Sequence, residues 1–342
     1  MGWPRASPGP SRRPQEDSTV SETAPPGPRD ELRADCARCF GLCCVAPAFA
    51  ASSDFALDKP AGQPCPNLGD GFGCGIHRDL RARGFAGCTV FDCFGAGQQV
   101  AQVTFAGRDW RTAPRTATRM FEAFAVMRPL HELLWYLTQA VTLTGPGPLR
   151  AELEAALAET RRLTGGSARE LLALDVDAHR GRVNPLLLRT SELARGDRAG
   201  ADRRGAVLVA ADLRRADLVG ANLRGAVLLG ADLRGADLTL ADLTGVDLRG
   251  ADVRGADLSG ALFLHQSQVD AAGGDDRTGL APALVRPTHW SRPVAPVRWS
   301  LPVAPVRRSL PVAPVRRSGG GPGTPPLTRG RLPADGAGTS AS

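Results

Sequence analysis

Residues 231–240 read Ala-Asp-Leu-Arg-Gly-Ala-Asp-Leu-Thr-Leu, two rounds of a five-residue repeat that runs through residues 206–263. Leu or another bulky apolar residue stands at every fifth position, and Ala precedes it by two places in all repeats except one, which has Val246. An α-helix repeats at about 3.6 residues and a strand at about 2. A sustained period of five therefore predicts a solenoid that turns a corner every five residues, with Ala and Leu stacked inside and polar residues or Gly outside.

This repeat resembles the pentapeptide-repeat family, whose motif is A-(D/N)-L-x-x, across about twelve repeats. The resemblance implies a right-handed quadrilateral β-helix with four repeats per coil. Twelve repeats then make about three coils, a stem on the order of 14 Å long at roughly 4.8 Å per coil. The period breaks over residues 262–273, where bulky residues precede Gly273. We expect this segment to be a C-terminal cap containing a short helix.

All eight cysteines lie between positions 36 and 93, in the order Cys36-x2-Cys39-x3-Cys43-Cys44, then Cys65-x8-Cys74-x13-Cys88-x4-Cys93. A CxxC pair and an adjacent Cys-Cys pair bring soft thiolate ligands together, which favours Zn or an iron–sulfur cluster. All eight are candidate ligands, and His77, three residues after Cys74, is a further candidate. One metal using four cysteines, two metals using all eight, and a cluster held by four with the rest structural are all compatible with the spacing.

The cysteine segment has a second interpretation and a second resemblance. An even number of cysteines in a short segment is also typical of a disulfide framework, but the sequence shows no secretory apolar segment, which favours a reducing compartment and a metal. Over about residues 35–94 the segment is similar to the family of zinc- or iron-chelating domains named for a CxxCxxCC-like cluster. The resemblance is carried by Cys36-Ala-Arg-Cys39-Phe-Gly-Leu-Cys43-Cys44, Cys65-Pro-Asn-Leu, Cys74-Gly-Ile-His77, Cys88 and Cys93.

Residues 114–195 have the apolar spacing of amphipathic helices. Gly145-Pro-Gly-Pro148 and Gly165-Gly-Ser167 divide this region into three helices, the last beginning with a capping box between Ser167 and Glu170. We expect the helices to cover the N-terminal end of the solenoid near Gly205, because an open solenoid end exposes Ala and Leu. His131 and His179 are interpreted as buried, hydrogen-bonded core residues rather than ligands.

The net charge of +7 belongs to the C-terminal tail, since residues 286–331 contain nine Arg and no acid. Residues 201–262 contain nine Asp and eight Arg. A nearly neutral, short stem lacks the charge density of a DNA mimic, so gyrase modulation is the least favoured function, and we expect no specific nucleic-acid binding. Residues 291–342 carry Pro-rich nine-residue repeats, and residues 1–30 are rich in Pro, Ser and Arg. Both segments are predicted to be disordered.

The predicted fold is a multidomain α + β-solenoid with disordered termini, without a membrane segment and cytoplasmic. Its predicted parts are a disordered segment (1–30), a Cys-rich metal module (31–112), a helical domain (113–196), a β-helix (201–263), a cap and linker (264–290) and a disordered tail (291–342). The sequence contains no G-x-S-x-G, Walker or H-E-x-x-H motif. We therefore expect a non-enzymatic scaffold that binds a protein partner and carries Zn or an iron–sulfur cluster. The alternative is an iron–sulfur or redox accessory protein or enzyme whose solenoid docks a partner.

Overall fold

A computed structural model describes residues 29–291, so the predictions for residues 1–28 and 292–342 lie outside the described residues. The α-helices, in chain order, are α1 (Leu42–Val45), α2 (Ala86–Thr89), α3 (Ala96–Gln98), α4 (Pro114–Leu143), α5 (Pro148–Thr164), α6 (Ala168–Leu172), α7 (Val176–Arg195) and α8 (Gln266–Ala271). A π-helical stretch, Gln99–Thr104, continues α3. Short 3-10 turns lie at Asp30–Leu32, Cys36–Arg38, His77–Asp79, Gly196–Arg198 and Thr288–Ser291. Strands β1 (Asp257–Leu258) and β2 (Gly279–Leu280) pair in parallel.

The five-residue repeats wind into a β-helix in which each outward residue pairs with the residue twenty places later. Parallel bridges join Asp202 to Asn222, Asn222 to Asp242 and Asp242 to Leu262. Twenty residues are four repeats, so one coil has four sides, as predicted. The four sides are named here by their rows: face A (202–204, 222–224, 242–244, 262–264), face B (207–209, 227–229, 247–249), face C (212–214, 232–234, 252–254) and face D (217–219, 237–239, 257–259).

The corner after each row explains why Gly recurs as the last residue of the repeat. Gly225, Gly235 and Gly245 have φ of 66°, 67° and 65° there, in the left-handed region where a Cβ atom is unfavourable. Arg215 and Leu240 occupy the same corner with φ of 55° and 59°. The corner therefore dictates the backbone conformation even where the residue is not glycine.

The segment predicted as a C-terminal cap contains the short helix α8 and continues beyond it. Helix α8 takes the place of a strand row on face B, and the chain then rejoins the β-helix. Asp252 pairs with Gly273, twenty-one residues on, and Asp257 in β1 pairs with Gly279 in β2, twenty-two residues on. The residues predicted as cap and linker thus form a fourth, aperiodic coil that seals the end of the apolar column.

Helix α4 packs into two different cores along its thirty residues. Its first half, including Met120, Met127 and Leu130, belongs to a buried cluster with Leu42, Val100 and other residues of the cysteine module. Its second half, from Leu133 to Ala140, belongs to a cluster that continues into the Ala and Leu columns of the β-helix. Pro129, which removes one helical N–H, lies where the first cluster gives way to the second. The helix thus holds the cysteine module and the solenoid in one body.

The helices lie along the side of the solenoid, which corrects the predicted position at its N-terminal end. The backbone N–H of Phe263 on face A donates to Gln139 Oε1 (2.9 Å), and the Phe263 ring packs edge-on against Tyr136. In the first coil, by contrast, the inward Leu208 is only half-buried, whereas Leu228 one coil later is fully buried. On face A the cover begins at the second coil, since Asp202 is exposed while Asn222 and Asp242 are buried.

Two further details of the helical region differ from or agree with the sequence predictions. Four helices are present in residues 114–195 instead of three, because the chain breaks at Ala173 and Leu174 and restarts with Asp175 as the N-cap of α7. The predicted capping box of Ser167 and Glu170 is present. Within residues 29–291, no helix combines the length and the apolar run needed to cross a bilayer.

The side chains of Phe94, His131 and His265 join the modules to one another. His131 Nδ1 lies 2.7 Å from the carbonyl oxygen of Phe94, which fits donation to that oxygen, and the Phe94 ring packs edge-on against His265 of the last coil. Burial lowers the pKa of His131 to about 4 and that of His265 to about 3. Both imidazoles are therefore neutral in the folded chain at neutral pH.

We expect this burial of neutral imidazoles to make the fold acid-sensitive. Between pH 6.5, near which an unfolded histidine titrates, and pH 4, the unfolded chain binds a proton that folded His131 does not. The free energy of unfolding should fall as the pH falls through this window, by on the order of 1 kcal/mol per pH unit for one histidine. In denaturant titrations, the plot of unfolding free energy against pH should be flatter for His131→Gln than for the wild type below pH 6.5, and the two plots should run parallel above pH 7. Plots that stay parallel down to pH 4 would contradict the prediction.

Candidate metal centre

The eight cysteines, spread over residues 36–93, come together beside the first half of α4, and all eight are free thiols. Cys43 and Cys44 lie on α1, and their Sγ atoms are 3.9 Å apart. Two sulfurs bound to one tetrahedral metal at about 2.3 Å stand about 3.8 Å apart. Cys39 and Cys65 are buried, Cys36 is exposed, and the other five are half-buried. The fold therefore gathers thiols from the start and the end of the segment into one place.

Backbone amides near two of these sulfurs favour their thiolate forms. The amides of Gly41 and Leu42 lower the pKa of Cys39, and those of Gly95 and Gly97 oppose the rise that burial gives the pKa of Cys93. This arises locally, because Gly41 precedes α1 and Gly95 precedes α3, so the first amides of each short helix lie close to the cysteine just upstream.

Within two pairs of neighbouring thiols in this cluster, the pKa values shift in opposite directions. The hydrogen bond between Cys36 and Cys39 lowers the pKa of Cys39 to about 6 and raises the pKa of Cys36. The hydrogen bond between Cys43 and Cys44 lowers the pKa of Cys44 and raises that of Cys43. At Cys88 burial raises the pKa to about 11. The lowered pKa values of Cys39 and Cys44 favour their thiolate forms. The raised pKa values of Cys36, Cys43 and Cys88 favour the thiol form, from which a bound metal would displace the proton.

The donor set fits Zn or an iron–sulfur cluster, since both take soft thiolate ligands. Within residues 29–291, no three side chains of Cys, His, Asp or Glu already surround a common point as ligands. Binding would therefore require cysteine side chains to rotate between staggered conformers. His77 lies at the surface, and its backbone N–H donates to the Cys74 carbonyl oxygen (3.3 Å).

The second functional feature is the pair of solenoid faces that the rest of the described chain leaves exposed. Face A is covered by the helices, so Asp242 is fully buried and pairs with Arg224 (3.1 Å). This corrects the expectation that every repeat Asp is solvated. Face B contacts the cysteine module, where Arg249 pairs with Asp54 (2.8 Å). Faces C and D, in contrast, expose their polar rows.

Face C carries a ladder of Asp–Arg pairs, one on each coil. Arg214 pairs with Asp212 and Arg234 with Asp232, both at 2.6 Å. The third pair is Arg254 with Asp252, and a further pair, Arg277 with Asp275, lies in the aperiodic coil beyond Gly273, the register partner of Asp252. Arg214 and Arg234 also reach toward the next coil, Arg214 toward Asp232 (3.8 Å) and Arg234 toward Asp252 (3.7 Å). The ladder therefore presents alternating acidic and basic groups with little net charge.

Sequence reasoning missed two features, a buried lysine in the cysteine module and an Asp–Arg pair beyond the repeats. Lys59, the single lysine of the chain, is a buried member of the cysteine module. Its position in the sequence, between Cys44 and Cys65, was the signal that could have placed it in the module. Asp275 and Arg277 form a further Asp–Arg pair in the aperiodic coil, outside the five-residue period. Only the i and i+2 spacing of Asp and Arg, shared with Asp252 and Arg254, could have identified them.

We expect a close contact at Gly97 to be essential for the cysteine cluster. A Cβ atom on Gly97 would lie 2.8 Å from Cys39 Cβ and 3.7 Å from Cys39 Sγ. The substitution Gly97→Ala should therefore lower the free energy of unfolding by about 1–3 kcal/mol, as overpacking does. The matched control is Gly181→Ala in α7, where a Cβ meets nothing within 4 Å and the helix should gain about 0.5–1 kcal/mol. Denaturant titrations giving equal effects for the two variants would contradict this role.

Comparisons with known proteins agree with this architecture. A family model described as pentapeptide repeats matches residues 199–228 and 228–263. The chain is 56% identical over 265 residues to the uncharacterized protein YybG of Bacillus subtilis (strain 168), covering 76% of this chain and 95% of YybG.

Similar solved structures include three pentapeptide repeat proteins. Rfr23 of Cyanothece 51142 is 32% identical over 23% of this chain and 53% of its own, with a TM-score of 0.21. The thylakoid-lumen protein AT2G44920 of Arabidopsis thaliana is 33% identical over 26% and 56%, with a TM-score of 0.17. HetL of Nostoc sp. PCC 7120 is 30% identical over 23% and 45%, with a TM-score of 0.14. The matched part spans about half of each solved chain. By its repeats and by its relative YybG, this chain belongs to the pentapeptide-repeat family of right-handed β-helix proteins.

Proposed function

We propose that this chain is a non-enzymatic scaffold that binds a protein partner through face C of its β-helix and carries Zn or an iron–sulfur cluster in its cysteine module. The observation that supports it most directly is the division of the solenoid surface. Face A is covered by the chain's own helices and face B contacts its cysteine module, while face C exposes three stacked Asp–Arg pairs.

The chemistry of face C favours a polar, reversible contact. Arg214, Arg234 and Arg254 are between 44% and 55% exposed at their side chains. Arginine is enriched in protein interfaces because its guanidinium group can bind a carboxylate with two parallel hydrogen bonds and pack its flat face on apolar groups. Consecutive coils are about 4.8 Å apart, so the ladder is a regular, rigid row of such groups. A partner with acidic side chains at matching intervals could replace the Asp that each arginine now holds.

Metal in the cysteine module would serve this scaffold by holding its loops in place. The loop of residues 45–64 supplies Asp54 to Arg249 on face B, and Arg81 donates to the Asp270 carbonyl oxygen beside α8. Both loops are flanked by cysteines. A bound zinc ion would supply a structural cross-link between them. The module would then keep face B covered and leave face C as the available surface.

The interaction role is tested by charge reversal on face C. The substitutions Arg214→Glu, Arg234→Glu and Arg254→Glu should abolish retention of the proteins that the wild-type chain retains from a lysate of its source organism. The control reverses three exposed arginines away from the solenoid, Arg115, Arg119 and Arg169, and should leave retention intact. Quantitative mass spectrometry of the retained proteins is the readout. A face C variant with an unchanged set of partners would exclude this surface.

The alternative function, an iron–sulfur or redox protein whose solenoid docks a partner, is favoured by Cys39, whose pKa is lowered to about 6 by the Cys36 thiol and, to a smaller extent, by the backbone amides of Gly41 and Leu42. Polar groups around the sulfur ligands are one of the factors that set the potential of iron–sulfur clusters. Elemental analysis and an absorption spectrum of the anaerobically purified chain decide between the functions. Zn without visible absorption supports the structural role, and iron with sulfide and a broad visible band supports the redox role. Protein without metal would contradict both.

A further inference from the structure

We propose that the open end of the β-helix binds an acidic segment of a partner protein. This end is formed by the entry coil, residues 201–215. The bound segment is extended and carries two acidic side chains four positions apart, with an apolar side chain midway between them. The site lies at the end of the solenoid and uses none of the arginines of the later coils on face C, so this inference and the proposed function can fail separately.

The apolar column is incompletely covered at this end. The inward side chains of Leu208 and Leu213 are only half-buried, whereas that of Leu218, on face D of the same coil, is 5% exposed. The incoming chain covers face D, where the backbone N–H of Gly200 donates to the carbonyl oxygen of Gly220 (2.8 Å). In the part of the chain that the structure describes, the other sides of the entry coil have no such cover.

The strand edges of the entry coil are unpaired on those sides. In the second coil, the backbone N–H of Asn222 donates to the carbonyl oxygen of Ala201 in the coil before it (3.0 Å). The equivalent N–H groups of the entry coil have no preceding coil and donate to no acceptor among the described residues: those of Asp202, Val207 and Asp212. A free strand edge of this kind is a template on which an extended segment from another protein can pair.

The entry coil also contains the unpaired arginines of the repeat region. Arg234 and Arg254, in later coils, each bind an aspartate. Three arginines of the entry coil are exposed, and within the described residues their guanidinium groups make no hydrogen bond and no ion pair: Arg203, Arg204 and Arg215. Guanidinium groups without a carboxylate of their own are available to bind a carboxylate of another molecule.

Two of these arginines depart from the rules of the repeat. Arg203 stands at the inward position that Leu223 fills one coil later, and only an open end lets a charged side chain there remain in water. Arg215 stands at the corner that Gly235 fills one coil later, with φ of 55°, which is unfavourable for a residue with a Cβ atom. Strained backbone of this kind clusters at binding sites. The entry coil thus departs from the apolar and glycine positions where it gains positive charge.

The charge of this end favours an acidic partner over a second copy of the chain. Residues 201–215 contain four Arg and two Asp, whereas residues 216–262 contain four Arg and seven Asp. The entry coil is therefore the basic end of an otherwise acidic solenoid. Two such ends brought together would place like net charges against each other, while an acidic segment would supply the acceptors that the unpaired arginines lack.

The positions of two arginines define the spacing of the acidic groups. Arg204 precedes the corner between faces A and B, and Arg215 lies at the diagonally opposite corner, between faces C and D. A side of three extended residues spans about 10 Å, so the diagonal is on the order of 14 Å. In an extended segment, residues i, i+2 and i+4 point the same way and cover about 13 Å. Acidic residues at i and i+4 therefore reach both arginines while an apolar residue at i+2 lies over Leu208 and Leu213.

The chemistry of the partner is tested by selecting binders from a displayed library of random nonapeptides on the immobilised full-length chain. The enriched peptides should share two acidic residues four positions apart with an apolar residue between them. Enrichment of peptides without this acidic pair, or no enrichment, would overturn the inference. Single-stranded DNA that displaces the enriched peptide at a lower concentration than the unlabelled peptide does would also overturn it, in favour of a nucleic acid.

The place of binding is tested by fluorescence anisotropy with the most enriched peptide. Its affinity should fall by at least about ten-fold in the variant Arg203→Gln, Arg204→Gln and Arg215→Gln, because three unpaired cations are lost. This variant should keep the wild-type melting temperature, since none of the three side chains is paired in the described chain. The control Arg115→Gln, Arg119→Gln and Arg169→Gln removes the same charge elsewhere and should bind as the wild type does. Equal affinities of the two variants would overturn the site.

Two further measurements separate this site from its alternatives. The variant Arg234→Glu and Arg254→Glu, on face C, should bind the peptide with unchanged affinity. A loss confined to that variant would place the acidic segment on face C, which supports the proposed function and overturns this inference. Light scattering should show the same molar mass for the wild type and the entry-coil variant. A concentration-dependent dimer that the variant abolishes would identify a second copy as the occupant and overturn the acidic partner.

Discussion

The fold depends on one shared element, helix α4, which is packed into two apolar cores in succession. Its first half is buried against the cysteine module and its second half against the β-helix. The cysteine module buries Leu42 and Val100 against the first half of this helix, and the last coil of the solenoid packs Phe263 against the second half. One helix therefore provides part of the core of both. The position of Pro129 between the two cores allows each half of the helix to follow its own surface.

This arrangement determines which surfaces of the β-helix are available. Because α4 lies along face A, the carboxylate of Asp242 is buried there and satisfied by Arg224 and Thr244. Because the cysteine module lies against face B, Arg249 is committed to Asp54. The same repeat therefore produces a buried ion pair on face A, a partly exposed one with Asp54 on face B and the exposed ladder on face C. Position around the coil, and not residue type, decides which Asp–Arg pair is buried.

The cysteine module follows a similar logic on a smaller scale. Short helices begin three residues after Cys39 and Cys93, and amides at their starts favour the thiolate forms of these two cysteines. The loop between Cys44 and Cys65 returns Lys59 to the cluster and places its ammonium group among three carbonyl oxygens. Thiols, backbone amides and a buried ammonium group thus converge although they are separated by up to about sixty residues.

The sequence by itself determined the parts of this protein that repeat or that depend on neighbours along the chain. The five-residue period specified a solenoid that turns a corner every five residues, the resemblance to pentapeptide repeats implied four sides to each coil, and Ser167 with Glu170 specified a helix start. It also drew attention to all eight cysteines. Contacts between distant segments left no such periodic trace. The side-on position of α4, the burial of Asp242, the return of the chain to the β-helix after α8 and the place of Lys59 were decided only by tertiary packing. Each of them depends on which apolar surfaces meet, and a local pattern specifies how a segment folds without specifying what will cover it.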